Sequence, residues 1–216
     1  MSQRILIFRI LRHCTGLEKH NGQSTEGLWI SVIGDSVIQN IYSDIKGKHL
    51  RHWKNNDHYY AVKLNWPADK VPDVVIFTLG YHTTWLSVEE FGETVDELFR
   101  LYDKQMKMKE LPVKQSVYYM LNIMPKPELI EDNLDCDRPK RTLINEYWKN
   151  RAVLDAATKH DFIKIIDLFS IELPFNEKCH KDAVHMLSDD NDRDCKVQKI
   201  FADAILRAIC EGDQKD

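Results

Sequence analysis

Two short groups of residues could work as one chemical device: Gly34-Asp35-Ser36 toward the N-terminus and Asp182-Ala183-Val184-His185 toward the C-terminus. A serine hydroxyl is a weak nucleophile until a base takes its proton, and imidazole is the side chain suited to that near neutral pH. A carboxylate three residues before His185 can hold the ring in one tautomer. Ser36, His185 and Asp182 would then form an activated nucleophile for acyl transfer: Ser36 attacks, His185 takes its proton, and Asp182 orients His185. The plainer readings are that Ser36 only caps a helix and that His185 only sits in a surface loop.

The segment from Leu28 to Ile45, LWISVIGDSVIQNIYSDI, shows how the serine would be held. Its apolar run from Trp29 to Ile33 suits a buried strand. The later apolar positions Val37, Ile38, Ile41, Tyr42 and Ile45 share one face of a helix. Gly34 permits a sharp turn between the two. Ser36 therefore falls at the start of a helix, whose dipole favours developing negative charge. That helix is expected to end near Gly47, with Lys48 to Asp57 as a loop and a second strand over His58 to Trp66.

Further along, Asp73 to Leu79 (DVVIFTL) is a continuous apolar strand bounded by Pro72 and Gly80. Ser87 to Lys109 is a long helix with a Ser87/Glu90 capping box and Val88, Phe91, Val95, Leu98, Leu101 and Tyr102 on one face. Val113 to Leu121 is a strand, and Glu128 to Pro139 an acidic loop. Arg141 to His160 is a helix expected to bury Leu143, Ile144, Tyr147, Trp148, Val153 and Leu154. Phe162 to Leu168 is the last strand. A polar loop from Glu172 to Asp194 leads to a closing helix with Val197, Ile200, Phe201, Ala204, Ile205 and Ile209 inward.

Strands alternate with helices, and three strands are apolar enough to be covered on both faces. The expectation is an α/β fold, a three-layer α/β/α sandwich around a central, mostly parallel sheet. Residues 28–211 would form a single domain, with residues 1–27 a peripheral N-terminal lead-in. Ligands of such sheets bind beyond the carboxyl ends of the strands. That directs attention to Gly34-Asp35-Ser36, Gly80-Tyr81-His82, Asn122 to Pro125, and the loop after Leu168.

With 216 residues, 43% apolar and 30% charged, the chain has the composition of an ordinary globular protein. A net charge of −4 gives no basic surface for nucleic acid or an anionic membrane. No apolar run is long enough to span a bilayer. Arg4, Arg9 and Arg12 interrupt the apolar segment at the start, which makes a poor signal peptide. A cytosolic protein and a truncated form of a translocated one both remain open. The five cysteines, Cys14, Cys136, Cys179, Cys195 and Cys210, include no Cys-x-x-Cys pair, so a structural zinc site is not expected. Free thiols in a reducing compartment and a Cys179–Cys195 disulfide in an oxidising one are the two alternatives. His49, His52 and His58 with Asp57 fit no standard metal site. The acidic run from Ser188 to Asp194 lacks the central glycine and terminal glutamate of a calcium loop.

Gly34-Asp35-Ser36 after the first strand, a glycine-led block after a central strand, and Asp182-x-x-His185 near the C-terminus together resemble the SGNH, or GDSL, hydrolase superfamily. The segments VIGDSVIQNIY, VVIFTLGYHTTW, DAVHM and IFADAILRAIC are most similar to its PC-esterase branch, especially the C-terminal domain of neurexophilin and PC-esterase domain proteins. The resemblance spans residues 28–210. It implies a flavodoxin-like topology and a serine esterase or O-acyltransferase acting on small acetyl esters of a glycan. It also implies a secreted or secretory-lumen location. The Ser36 N–H and the Gly80–His82 region would hold the oxyanion, with Asp35 beside the substrate. Neither a metal nor an organic cofactor is required. Three departures stand out. Gly80-Tyr81-His82 replaces the family's Gly-x-Asn, and a neutral His82 could donate one hydrogen bond there. The second-block glycine has no clear counterpart. Gln39 stands where many relatives have arginine. These departures motivate the alternative reading, a catalytically degraded domain kept as a glycan- or protein-binding module.

Overall fold

The computed structural model describes residues 4–10, 28–34, 50–57, 72–80, 86–109, 115–126, 142–172, 179–180 and 197–212. Six strands form one sheet: β1 (Arg4–Ile10), β2 (Leu28–Gly34), β3 (Leu50–Asp57), β4 (Val74–Thr78), β5 (Ser116–Met120) and β6 (Ile163–Ile166). Their spatial order is β3-β1-β2-β4-β5-β6. Strands β2, β4, β5 and β6 pair in parallel, while β1 runs against both of its neighbours. Among the described residues four helices accompany them: α1 (Val88–Lys109), α2 (Leu143–Ala157), the short α3 (Leu168–Glu172) and α4 (Val197–Gly212).

The central strands form because they are apolar on both sides, and the two-residue repeat sends their side chains into two separate cores. On one face Ile30, Val32, Val74, Ile76, Tyr118 and Met120 pack with Val197, Phe201, Ile205 and Ile209 of α4. On the other, Ile33, Val75, Phe77, Val117 and Tyr119 pack with Phe91, Val95, Phe99 and Tyr102 of α1 and Val153 and Ala156 of α2. This is the expected three-layer α/β/α sandwich with a mostly parallel sheet.

The start of α1 matches its sequence signature. The Ser87 N–H donates to Glu90 Oε2 at 2.8 Å, and the Glu90 N–H donates to Ser87 Oγ at 3.1 Å. Its inner stripe runs through Phe91, Val95, Phe99 and Tyr102, with Leu101 turned outward at 40% exposure. Phe99 thus takes the place expected for Leu101. Burial also pushes the Tyr102 phenol well above its ordinary range. Gly92 lets α1 approach α2, since a Cβ there would lie 3.2 Å from that of Ala152. In α4, Ile200 is 38% exposed and Ala202 is buried in its stead.

Two expectations give way at the sheet edge. Arg4–Ile10, in the stretch read as a peripheral lead-in, is a strand paired to both β2 and β3. Leu50–Asp57, read as a loop, is the strand at the sheet's β3 edge. Both carry charges that weaken an apolar pattern. Their pairing is a matter of backbone hydrogen bonds, and on β3, the edge strand, charged residues are tolerated. The expected strand over His58 to Trp66 and the helix after Gly34 fall outside the described residues.

The largest departure is α2. Leu143, Ile144, Tyr147 and Trp148, expected in the core, are 48%, 66%, 49% and 51% exposed, whereas Glu146, Lys149 and Asn150 are buried. Thr142 caps the helix by accepting the Asn145 N–H at 3.1 Å. The helix is in the predicted place, and its second half buries Val153 as expected, but its first half presents its polar side to the sheet.

Candidate active site

Strand β2 leads to β3 on one side of the sheet, and β4 leads through α1 to β5 on the other. The carboxyl ends of β2 and β4 therefore flank a topological switch point, where open α/β sheets bind ligands. Gly34 pairs with Thr78 across these strands. Ser36 and Gly80 each follow that pair by two residues along the chain. Of the expected site residues, Gly80 is described. Ser36, Asp35, His82, Asp182 and His185 lie outside the described residues.

Gly80 is buried and has φ 138°, a conformation L side chains rarely adopt. A Cβ there would come within 2.3 Å of Asn122 Nδ2. Glycine is thus demanded twice, by backbone angle and by space. The carbonyls on either side of it are both engaged from the α1/α2 layer. Tyr119 Oη donates to the Leu79 carbonyl at 2.6 Å, and Lys149 Nζ donates to the Gly80 carbonyl at 3.3 Å.

Behind Gly80 lies a buried polar cluster built by β5 and α2. Asn122 follows β5. Its Nδ2 donates to Glu146 Oε2 at 2.9 Å and its N–H to Asn150 Oδ1 at 2.9 Å. Asn150 Nδ2 donates back to the Asn122 carbonyl at 2.9 Å. Glu146 Oε1 lies 3.4 Å from Lys149 Nζ, their side chains being 1% and 3% exposed. The ammonium also sits over the Phe91 ring, 5.6 Å from its centroid. Each charge in this low-dielectric place is matched by an opposite charge and by hydrogen bonds, as a buried charge must be. The Asn122 amide nitrogen gives one of its two N–H groups to Glu146.

A second buried pair stands beyond β5 and β6. Glu172, at the end of α3, accepts the Met124 N–H with one carboxylate oxygen and meets His180 Nε2 at 2.7 Å with the other. His180 Nδ1 is buried with no hydrogen-bond partner among the described residues. Cys179, beside it, and Cys210 of α4 are both disulfide-bonded. Cys195 is outside the described residues, so the expected Cys179–Cys195 pairing is as well.

Sequence reasoning found Gly80 and flagged Asn122 by their places at strand ends. It missed Glu146, Lys149 and Asn150. The available signal was their spacing: with Val153 they occupy positions i, i+3, i+4 and i+7, one face of a helix. Glu172 and His180 gave no such signal, because a carboxylate and a histidine eight residues apart in a polar stretch look like solvated side chains.

Among the described residues no helix is long and apolar enough to cross a membrane. Neither a family model nor a curated protein matches the chain. Among solved structures it is similar to a lipase/acylhydrolase from Enterococcus faecalis, at 15% identity over 65% of this chain and 62% of that one, with a TM-score of 0.46. It is similar also to LAE5, an α/β hydrolase from the metagenome of Lake Arreo, Spain, at 16% identity over 63% and 59% of the two chains, TM-score 0.41. A third is a catalytic mutant of Axe2, an acetylxylan esterase from Geobacillus stearothermophilus, at 18% identity over 64% and 59%, TM-score 0.42. The matched part spans less than two thirds of each of these proteins, and the fold described above rests on its own strands and helices.

Proposed function

We propose that this protein is a serine ester hydrolase or O-acyltransferase of the SGNH type, acting on small acyl esters. The observation that supports the reading is the register Gly34↔Thr78, which puts the carboxyl ends of β2 and β4 side by side; in the sequence Ser36 and Gly80 each follow that pair by two residues. In this reading Ser36 Oγ attacks the acyl carbonyl carbon while His185 takes its proton, with Asp182 holding the imidazole. The tetrahedral oxyanion is held by backbone N–H groups of Ser36 and Gly80 and by the His82 ring. Its collapse releases the alcohol, which leaves with the proton from His185. Water completes hydrolysis of the acyl-serine through the same histidine. A sugar hydroxyl in place of water gives transfer.

The resemblance of VIGDSVIQNIY, VVIFTLGYHTTW and DAVHM to the PC-esterase branch supports an acetyl group on a glycan as the substrate. The disulfide-bonded Cys179 and Cys210 support an oxidising compartment, the secretory lumen or outside the cell.

The test is hydrolysis of p-nitrophenyl acetate with labelling by a fluorophosphonate probe. Ser36→Ala should abolish both and leave the unfolding temperature within a few degrees of wild type. Equal turnover in Ser36→Ala would sink the mechanism. Well-folded wild-type protein that neither hydrolyses nor labels would favour the binding module.

A further inference from the structure

Glu172 and His180 form a buried pair outside the acyl-transfer chemistry, their side chains being 1% and 2% exposed. The Glu172 carboxylate faces two ways. One oxygen accepts the Met124 N–H, and the other meets His180 Nε2 at 2.7 Å. It thereby joins three stretches of chain: the segment after β5, the end of α3, and residues 179–180. The first of these is itself fixed. The Leu121 N–H donates to the Ile166 carbonyl at 3.0 Å, and Asn122 and Asn150 exchange two hydrogen bonds. Cys179 adds a second hold, being disulfide-bonded and buried in the core that α4 shares with the sheet.

Stability alone does not account for a histidine at position 180. Its Nδ1 is buried without a hydrogen-bond partner among the described residues. An apolar side chain of similar volume would fill the place without that cost. The imidazole instead supplies a directed contact with a carboxylate already fixed to the chain after β5. Chain connectivity gives that contact a consequence. Asp182 follows His180 by two residues, and His185 follows it by five. Two peptide units reach at most about 7 Å, so holding His180 restricts where Asp182 can be placed.

We propose that Glu172 and His180 are positioning residues that tie the chain bearing Asp182 and His185 to the carboxyl end of β5. The inference rests on the acyl-transfer reading above. Burial keeps both side chains away from substrate, and they act through the chain that follows His180. A tie at position 180 limits the conformations open to Asp182 and His185 before substrate arrives, and orientation gained in advance lowers the barrier to reaction.

Glu172→Gln keeps both contacts, since its oxygen can accept the Met124 N–H and its nitrogen can donate to a neutral imidazole. It should hold kcat for p-nitrophenyl acetate within about three-fold of wild type. Adding His180→Leu to Glu172→Gln removes the tie without leaving a buried charge. The kcat should then fall about ten- to a hundred-fold with KM within about two-fold, and trypsin should cut after Lys181 about ten-fold faster. His180→Asn, whose shorter side chain falls short of Glu172, should show the same split and serves as the second route if the double variant does not fold. Unchanged kcat in either folded variant overturns the positioning role, and so does an equal fall in Glu172→Gln alone. Failure of both to fold while Glu172→Gln stays active would show the pair to be a stability element and overturn it too. If wild-type protein neither turns over nor labels with fluorophosphonate, the enzymatic reading fails and the positioning role with it. Faster cleavage after Lys181 in the double variant would then still show the tie as a structural device, which keeps the two failures apart.

Discussion

Helices α1 and α2 lie side by side on one face of the sheet and bury opposite kinds of surface. In α1 the apolar stripe of Phe91, Val95, Phe99 and Tyr102 faces the strands, and Glu89, Glu90, Glu93 and Glu97 face water. In α2 the apolar residues of the first turns face water, while Glu146, Lys149 and Asn150 face the strand ends. Only its second half, with Val153 and Ala156, returns to the apolar core. The break falls where α2 passes from the body of the sheet to the carboxyl ends of β4 and β5. Over the sheet a helix meets side chains and packs by apolar area. Past the strand ends it meets backbone groups that need hydrogen bonds, and only polar residues can supply them.

The largest effects should come from cutting each helix at its own kind of contact. Phe99→Ala in α1 should cost about 3–5 kcal/mol, as deletion of a fully buried ring leaves a cavity. Glu146→Ala in α2 should cost a similar amount, about 3–5 kcal/mol, by leaving the Lys149 ammonium buried without its counter-charge. Chemical denaturation would measure both. What separates the helices is repair. Glu146→Leu with Lys149→Met should regain only part of the stability, because it removes the unpaired charge along with the pair but leaves Asn122 Nδ2 and the Gly80 carbonyl without their partners. No second substitution next to Phe99→Ala should do so unless it refills the volume. A double variant as unstable as Glu146→Ala alone would show that the polar face of α2 contributes net stability.

A smaller effect tests the two helix starts. Both are capped by a side-chain oxygen, but Ser87 belongs to a reciprocal box with Glu90, and Thr142 accepts a single N–H. Ser87→Ala should lower stability by about 1 kcal/mol, read from the denaturation midpoint at constant slope. A loss below about 0.3 kcal/mol would mean that the packed stripe alone fixes where α1 begins.

The same contrast explains which parts could be read from sequence. Strands β4 and β5 announce themselves through apolar runs, β4 between Pro72 and Gly80, and α1 through its cap and its three-and-four spacing. Such features are local. Strands β1 and β3 are less so, since what makes LRHWKNND a strand is the backbone of its neighbour and not its own pattern. Within the candidate site, Gly80 was legible because it directly follows an apolar strand, where the ligands of parallel sheets bind. Lys149 and Glu146 were not, because their partners are residues 69 and 24 positions away in the chain. Without those partners in view, periodicity assigns the apolar side of a helix to the core by default. That default is correct for α1 and reversed for the first half of α2.

The smallest expected effect is the most direct check on that reversal. If α2 buried its apolar side, truncating Leu143 or Ile144 would cost about 2–5 kcal/mol. With 48% and 66% of these residues exposed, replacement by glutamine should shift stability by no more than about 0.5 kcal/mol. Glutamine is a good helix former and Ile144 is β-branched, so Ile144→Gln loses little apolar contact and gains slightly in helix propensity. The expected outcome is therefore a near-neutral substitution at the most apolar-looking turn of α2, set against a severe one at Glu146 two positions away. A loss of 2 kcal/mol or more on Ile144→Gln, on the scale of a buried isoleucine, would mean that this stripe is covered in the folded protein and that α2 buries both of its faces.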